Sequence, residues 1–194
     1  MRRRLFAGVL AAISMFSASM AAAGQPSGAM LAGACAACHG THGNSVSITP
    51  SLAGMSEEYF TETMQAFKDG SRKATVMDRI AKGYSDTDIK AMGDYFASQQ
   101  LSPMKQTFAQ AKATTGGKLH KQYCEKCHEE GGRKSDDGGI LAGQSMRYLH
   151  YSMLDFKAGD REAPKKMRAK VKELLRDHGD GAIDALLHYY GSQQ

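Results

Sequence analysis

The polar and apolar positions divide this chain into two similar halves. In "SEEYFTETMQAFKDG" apolar side chains return at helical spacing; Ser56 can cap the helix, Glu57 and Glu58 suit its first turn, and Gly70 can end it. "SMRYLHYSMLDFKAG" is its counterpart in the second half. Each half closes on a further amphipathic stretch. Ser85 can cap one that places Ile89, Met92, Tyr95 and Phe96 on a single face. Ile183, Leu186, Leu187 and Tyr190 make the corresponding stripe of the other. Shorter helices, "SGAMLAGACAAC" and "GGKLHKQYCEKC", open the halves, and glycine-rich loops, "HGTHGNS" and "HEEGGRKSDDGG", follow them. No stretch alternates as a strand does, so the predicted fold class is all-α.

A shift of 89 residues superposes the halves. Cys35 falls on Cys124, Cys38 on Cys127, His39 on His128, and the "LAG" at Leu52 on that at Leu141. Tyr59, Phe67, Gly70 and Arg72 match Tyr148, Phe156, Gly159 and Arg161. Two copies of one domain are expected, over residues 24–104 and 105–194. A linker is expected at about 99–117, punctuated by Pro103, Gly116 and Gly117.

The first 23 residues read differently. Arg2, Arg3 and Arg4 precede a short apolar run that ends in Ala21, Ala22 and Ala23, the layout of a signal peptide. Its run is short and broken by serines, unlike a membrane span. Export to the periplasm without a membrane anchor is the expectation. Cleavage would lower the formal charge from +5 to +2. The remaining charges alternate in sign, so nucleic acid is not an expected partner. The basic "KKMRAKVKELLR" reads as a solvated helix face.

All four cysteines lie in "CAACH" and "CEKCH". On a helical turn, C-x-x-C presents two sulfurs on one face with the histidine beside them. That is the arrangement for thioether attachment of one haem c and ligation of its iron. Structural zinc would need four ligands in one fold, whereas each pair here has its own repeat. A thioredoxin-type disulfide expects a βαβ setting. Two covalent haem c groups are therefore predicted, on Cys35 and Cys38 and on Cys124 and Cys127, with His39 and His128 on the irons. Met77 and Met167 are the expected opposite ligands. They lie 38 and 39 residues after those histidines, beyond the helix-poor "FKDGSRKATV" and "FKAGDREAPKK". Met64, Met92 and Met153 fall in amphipathic helices, where core packing is expected. Ordinary roles are expected for His42, His120, His150, His178 and His188. Pro50 is the expected acceptor for the second nitrogen of His39, with Gly139 at the matching place for His128.

Paired haem domains of this kind resemble the cytochrome c4 group, in which two class I cytochrome c domains pack together. "CAACHGTHGNS", "RIAKGYS", "KLHKQYCEKCHEEGG", "ILAGQ" and the final "SQQ" resemble the di-haem cytochrome subunits of flavocytochrome c sulfide dehydrogenases. That resemblance implies a heterodimer with an FAD-containing flavoprotein, where sulfide reacts. Electrons would pass singly through this chain to a soluble periplasmic cytochrome c, and the chain would supply no catalytic residue. A free-standing cytochrome c4-like carrier feeding a terminal oxidase is the alternative. A haem enzyme with one open iron would need a missing sixth ligand, and both halves offer a methionine.

Overall fold

The computed structural model describes residues 25–135 and 138–194; the expected signal peptide, residues 1–23, lies outside them. The described residues form helices and loops, without a strand. The first half contains α1 (Gly28–Ala32), α2 (Ala36–His39), α3 (Glu57–Asp69), α4 (Met77–Ile80) and α5 (Asp86–Ala97). The second contains α6 (Gln110–Tyr123), α7 (Glu129–Gly132), α8 (Met146–Ala158), α9 (Lys165–His178) and α10 (Gly181–Gly191).

Local chemistry sets the helix ends where the sequence placed them. Ser56 accepts a hydrogen bond from the Tyr59 amide, and Gly70 closes α3 in the left-handed region. Ser145 and Gly159 do the same for α8. Ser85 and Asp88 form a reciprocal capping box at the start of α5.

Each half closes around its own apolar cluster. Phe60, Met64, Ile89, Met92 and Phe96 are buried in the first, and Leu119, Leu149, Leu174, Leu186 and Tyr190 in the second. Met64 and Met92 are thus core residues, as their helical positions implied. In each half the opening helix crosses the closing one, α1 over α5 and α6 over α10. A glycine allows each crossing. A Cβ built on Gly28 would lie 2.1 Å from the Ala91 carbonyl oxygen, and one on Gly116 would lie 2.1 Å from that of Ala185.

That contact corrects the expected end of the linker. Helix α6 begins at Gln110, so Gly116 and Gly117 lie inside it rather than in a turn. Glycine is kept there because α10 needs the space, not because the chain bends. Gly116→Ala is expected to force α6 and α10 apart and cost about 1–3 kcal/mol. Chemical denaturation should show a lower midpoint at an unchanged slope.

Candidate haem sites and the seam between the halves

In the first half, α2 carries the motif to its end. Gly40, at φ 76°, terminates the helix directly after His39. The loop then returns so that Nδ1 of buried His39 donates to the Pro50 carbonyl at 2.8 Å. Thr49 ties the same loop to the motif by donating to the Cys38 carbonyl at 2.5 Å. A carbonyl can only accept, so the proton sits on Nδ1 and the Nε2 lone pair is available to a metal. Burial lowers the His39 pKa, against the pull of the Pro50 bond, which favours the neutral imidazole that ligation requires.

The second half reaches a similar result by a different path. His128 is held near neutral pH as the free base, its pKa pushed down to about 4 by burial and then by His120. Its Nδ1 is buried with no hydrogen-bond partner among the described residues. The Gly139 carbonyl therefore does not take the role expected from the repeat. The loop differs: Glu130 and Gly131 adopt positive φ within α7, and Gly138 passes beside the ring, where a Cβ would meet His128 Cε1 at 3.1 Å. There is no proline at the Pro50 position to hold the loop in the first half's course.

None of the four cysteines is joined to another by a disulfide. Cys35 packs against the first cluster and Cys124 against the second, while Cys38 and Cys127 are exposed. The pairs thus serve different cores and cannot pool four ligands on one zinc. Burial raises the Cys35 thiol, and pushes that of Cys124 up to about 11. Met77 starts α4 and packs on the first cluster. Its neighbours Val76 and Ile80 are 50% and 41% exposed, apolar surface that a large apolar group would cover. Met167 is half-buried in the first turn of α9. This fourteen-residue helix has no equally long match in the first half, where α4 has four residues. Paired thiols, a neutral histidine with its second nitrogen buried, and uncovered apolar side chains near Met77 fit a covalently held haem.

The repeat-matched aromatic and arginine residues meet at the seam between the halves. The Arg72 guanidinium stacks on Phe67 at 4.5 Å, and Arg161 on Phe156 at 4.4 Å. Each arginine then reaches across. Arg161 donates to the Tyr59 hydroxyl at 2.5 Å, and Arg72 bonds to Tyr148. The two halves thus exchange equivalent contacts, as two protomers do across a two-fold axis. Burial opposes ionisation of Tyr148, but Arg161 and Arg72, with a bond to Ser152, bring its pKa below the usual tyrosine value. Neither arginine has a carboxylate partner among the described residues, so the seam has positive charge to offer an anionic group such as the carboxylates of haem. Lys73 pairs with Asp160 nearby.

One contact breaks the symmetry. Gln144, fully buried, inserts its amide into the first half, where Oε1 accepts from the Ser51 amide at 2.9 Å and Nε2 donates to the Ser51 carbonyl at 2.8 Å. The matching position of the first half is Met55. A second asymmetric group joins buried His120, for which the sequence implied only an ordinary role, to Glu125 and Tyr190. Only the crossing of α6 and α10 brings residues 70 positions apart together.

Known proteins place this architecture. The cytochrome c family model matches residues 26–100. Cytochrome c4 of Pseudomonas aeruginosa is 32% identical over 195 aligned positions, covering 95% of this chain and 97% of that protein. The cytochrome subunit of sulfide dehydrogenase of Chlorobaculum tepidum is 48% identical over 71 residues, 37% of this chain and 64% of that protein. The crystal structure of reduced recombinant cytochrome c4 from Pseudomonas stutzeri superposes with a TM-score of 0.75 at 29% identity, over 86% of this chain and 97% of that one. No helix among the described residues is long and apolar enough to cross a membrane. The two C-x-x-C-H sites, the helical fold and near-full-length similarity agree, and the chain belongs to the cytochrome c4-like di-haem cytochromes c, electron-transfer proteins with covalently bound haem c.

Proposed function

We propose that this chain is the periplasmic di-haem subunit of a sulfide-oxidising flavocytochrome c. It would take electrons from an FAD-containing partner and release them one at a time to a soluble cytochrome c. The observation that carries this reading is the 48% identity to a sulfide dehydrogenase cytochrome subunit, well above the 32% shared with cytochrome c4, although it spans a shorter segment. In this reading residues 24–104 and 105–194 are the two haem domains. Their axial pairs are His39 with Met77 and His128 with Met167.

Bound haem c supplies reversible one-electron exchange at its iron. The residues prepare the site for that exchange. The cysteines fix the group to the helix, the neutral histidines present Nε2, and the methionines would close the opposite face and raise the potential. Arg72, Arg161 and the two tyrosines join the halves where an electron would cross. A free-standing carrier to a terminal oxidase is the second reading, favoured by the cytochrome c4 match along nearly the whole of both chains.

Purification from the native periplasm at low salt separates the two. In the first reading a flavin-containing subunit accompanies the chain, and sulfide reduces both haems. A lone di-haem protein, inert to sulfide but rapidly reduced by other respiratory donors, would overturn it in favour of the second.

A further inference from the structure

The second half buries a polar chain beside its haem motif that the first half lacks. His120 is 1% exposed. Its Nδ1 lies 2.9 Å from the Tyr190 hydroxyl and its Nε2 lies 2.5 Å from Glu125 Oε2. A carboxylate accepts, so the network runs from the Tyr190 O–H to Nδ1 and from Nε2–H to Glu125. Glu125 stands between the two cysteines of "CEKCH". Glu125 further accepts, at 3.5 Å, from the Gly131 amide in the loop after His128. Burial alone would raise the Glu125 carboxyl, but His120 and the backbone at Gly131 and Glu130 hold it below its usual range. No lysine or arginine pairs with it among the described residues. In the first half the repeat places Leu31 and Ala36 opposite His120 and Glu125. Aligning the terminal "SQQ" with Ser98–Gln100 places buried Phe96 opposite Tyr190. One motif therefore has an oriented carboxylate beside its first cysteine, and the other has apolar side chains.

We propose that Glu125, positioned by His120 and Tyr190, holds the reduction potential of the C-terminal haem below the value it would have with a neutral side chain at that position. The inference rests on Cys124, Cys127 and His128 forming the second haem site. A carboxylate stabilises ferric iron, with its extra positive charge, more than ferrous iron. Its effect is greatest at short range and where water is excluded. Glu125 is 40% exposed, so solvent screens part of that charge. Buried His120 holds the remainder toward the motif.

Spectroelectrochemical titration of the full holoprotein tests this, because each haem contributes one midpoint. In Glu125→Gln one midpoint rises and the other stays; Glu125→Asp, which keeps the charge, retains both wild-type values. Transplanting the pair as Leu31→His with Ala36→Glu lowers the midpoint that Glu125→Gln left alone. Unchanged midpoints in a Glu125→Gln protein that retains both haems would overturn the proposal, as would equal shifts in Glu125→Gln and Glu125→Asp. If Glu125→Gln fails to retain haem, the transplant decides, and unmoved midpoints there overturn it. Fewer than two covalent haems in the wild type would instead refute the haem-site assignment beneath it.

Discussion

Replacing Met77 or Met167 with alanine is expected to leave both haem groups attached, lower the potential of one, and let its ferrous form bind carbon monoxide. In the proposed arrangement attachment rests on the cysteines and the opposite face on the methionine, so the two properties should separate. Axial-ligand identity spreads haem potentials over about 0.8 V, which makes loss of a ligand a large perturbation. Met77 lies in the first turn of α4, beside two half-exposed apolar neighbours. Met167 occupies the matching place in the first turn of α9. Met92→Ala is the control. Met92 is fully buried among Phe60, Ile89 and Phe96, so its truncation should cost about 2–5 kcal/mol without changing the haem spectrum. Wild-type spectra and carbon monoxide resistance in both Met77→Ala and Met167→Ala would refute these two ligands.

The second large effect is expected at the seam. Gln144→Leu keeps the volume but strands the amide and carbonyl of Ser51, itself 1% exposed. Each stranded group costs about 1–3 kcal/mol. Both halves should lose stability, because the lost bonds join Gln144 of the second half to Ser51 of the first. Gln144→Glu should be harmful too, since a carboxylate cannot donate to the Ser51 carbonyl. Denaturant unfolding followed by haem absorbance checks this. A stability within about 0.5 kcal/mol of wild type in Gln144→Leu would show that the seam does not depend on this amide.

Much of the local structure was legible in the residues. Ser56, Ser85 and Gly70 mark helix ends through hydrogen bonds and backbone preferences that act within one turn. The apolar stripe from Ile89 to Phe96 marks a buried face in the same way. The histidine contacts that Pro50 and Gly139 were expected to make show where the repeat stops being a guide. Pro50 does accept from His39, whereas the second loop takes a different course around Gly138 and leaves the His128 nitrogen without that partner. Gly116 shows a related failure. In one dimension it reads as a turn residue, yet it lies in a helix against the Ala185 backbone. A close approach between helices 69 residues apart has no local signature.

By itself the sequence determined the helical class, the likeness of the two halves, and the two C-x-x-C-H motifs that call for haem c. Those features depend on spacing along a helix and on side-chain type, which are local quantities. The tertiary structure alone decided how the halves meet. It crosses Arg72 to Tyr148 and Arg161 to Tyr59, seats Gln144 on Ser51, and gathers His120, Glu125 and Tyr190 beside the second motif. Apart from the bond of His120 to Glu125, five residues on, each of these is a hydrogen bond between groups whose partner is set by packing of distant elements. Buried polar groups must find a partner, but only the folded chain shows which one.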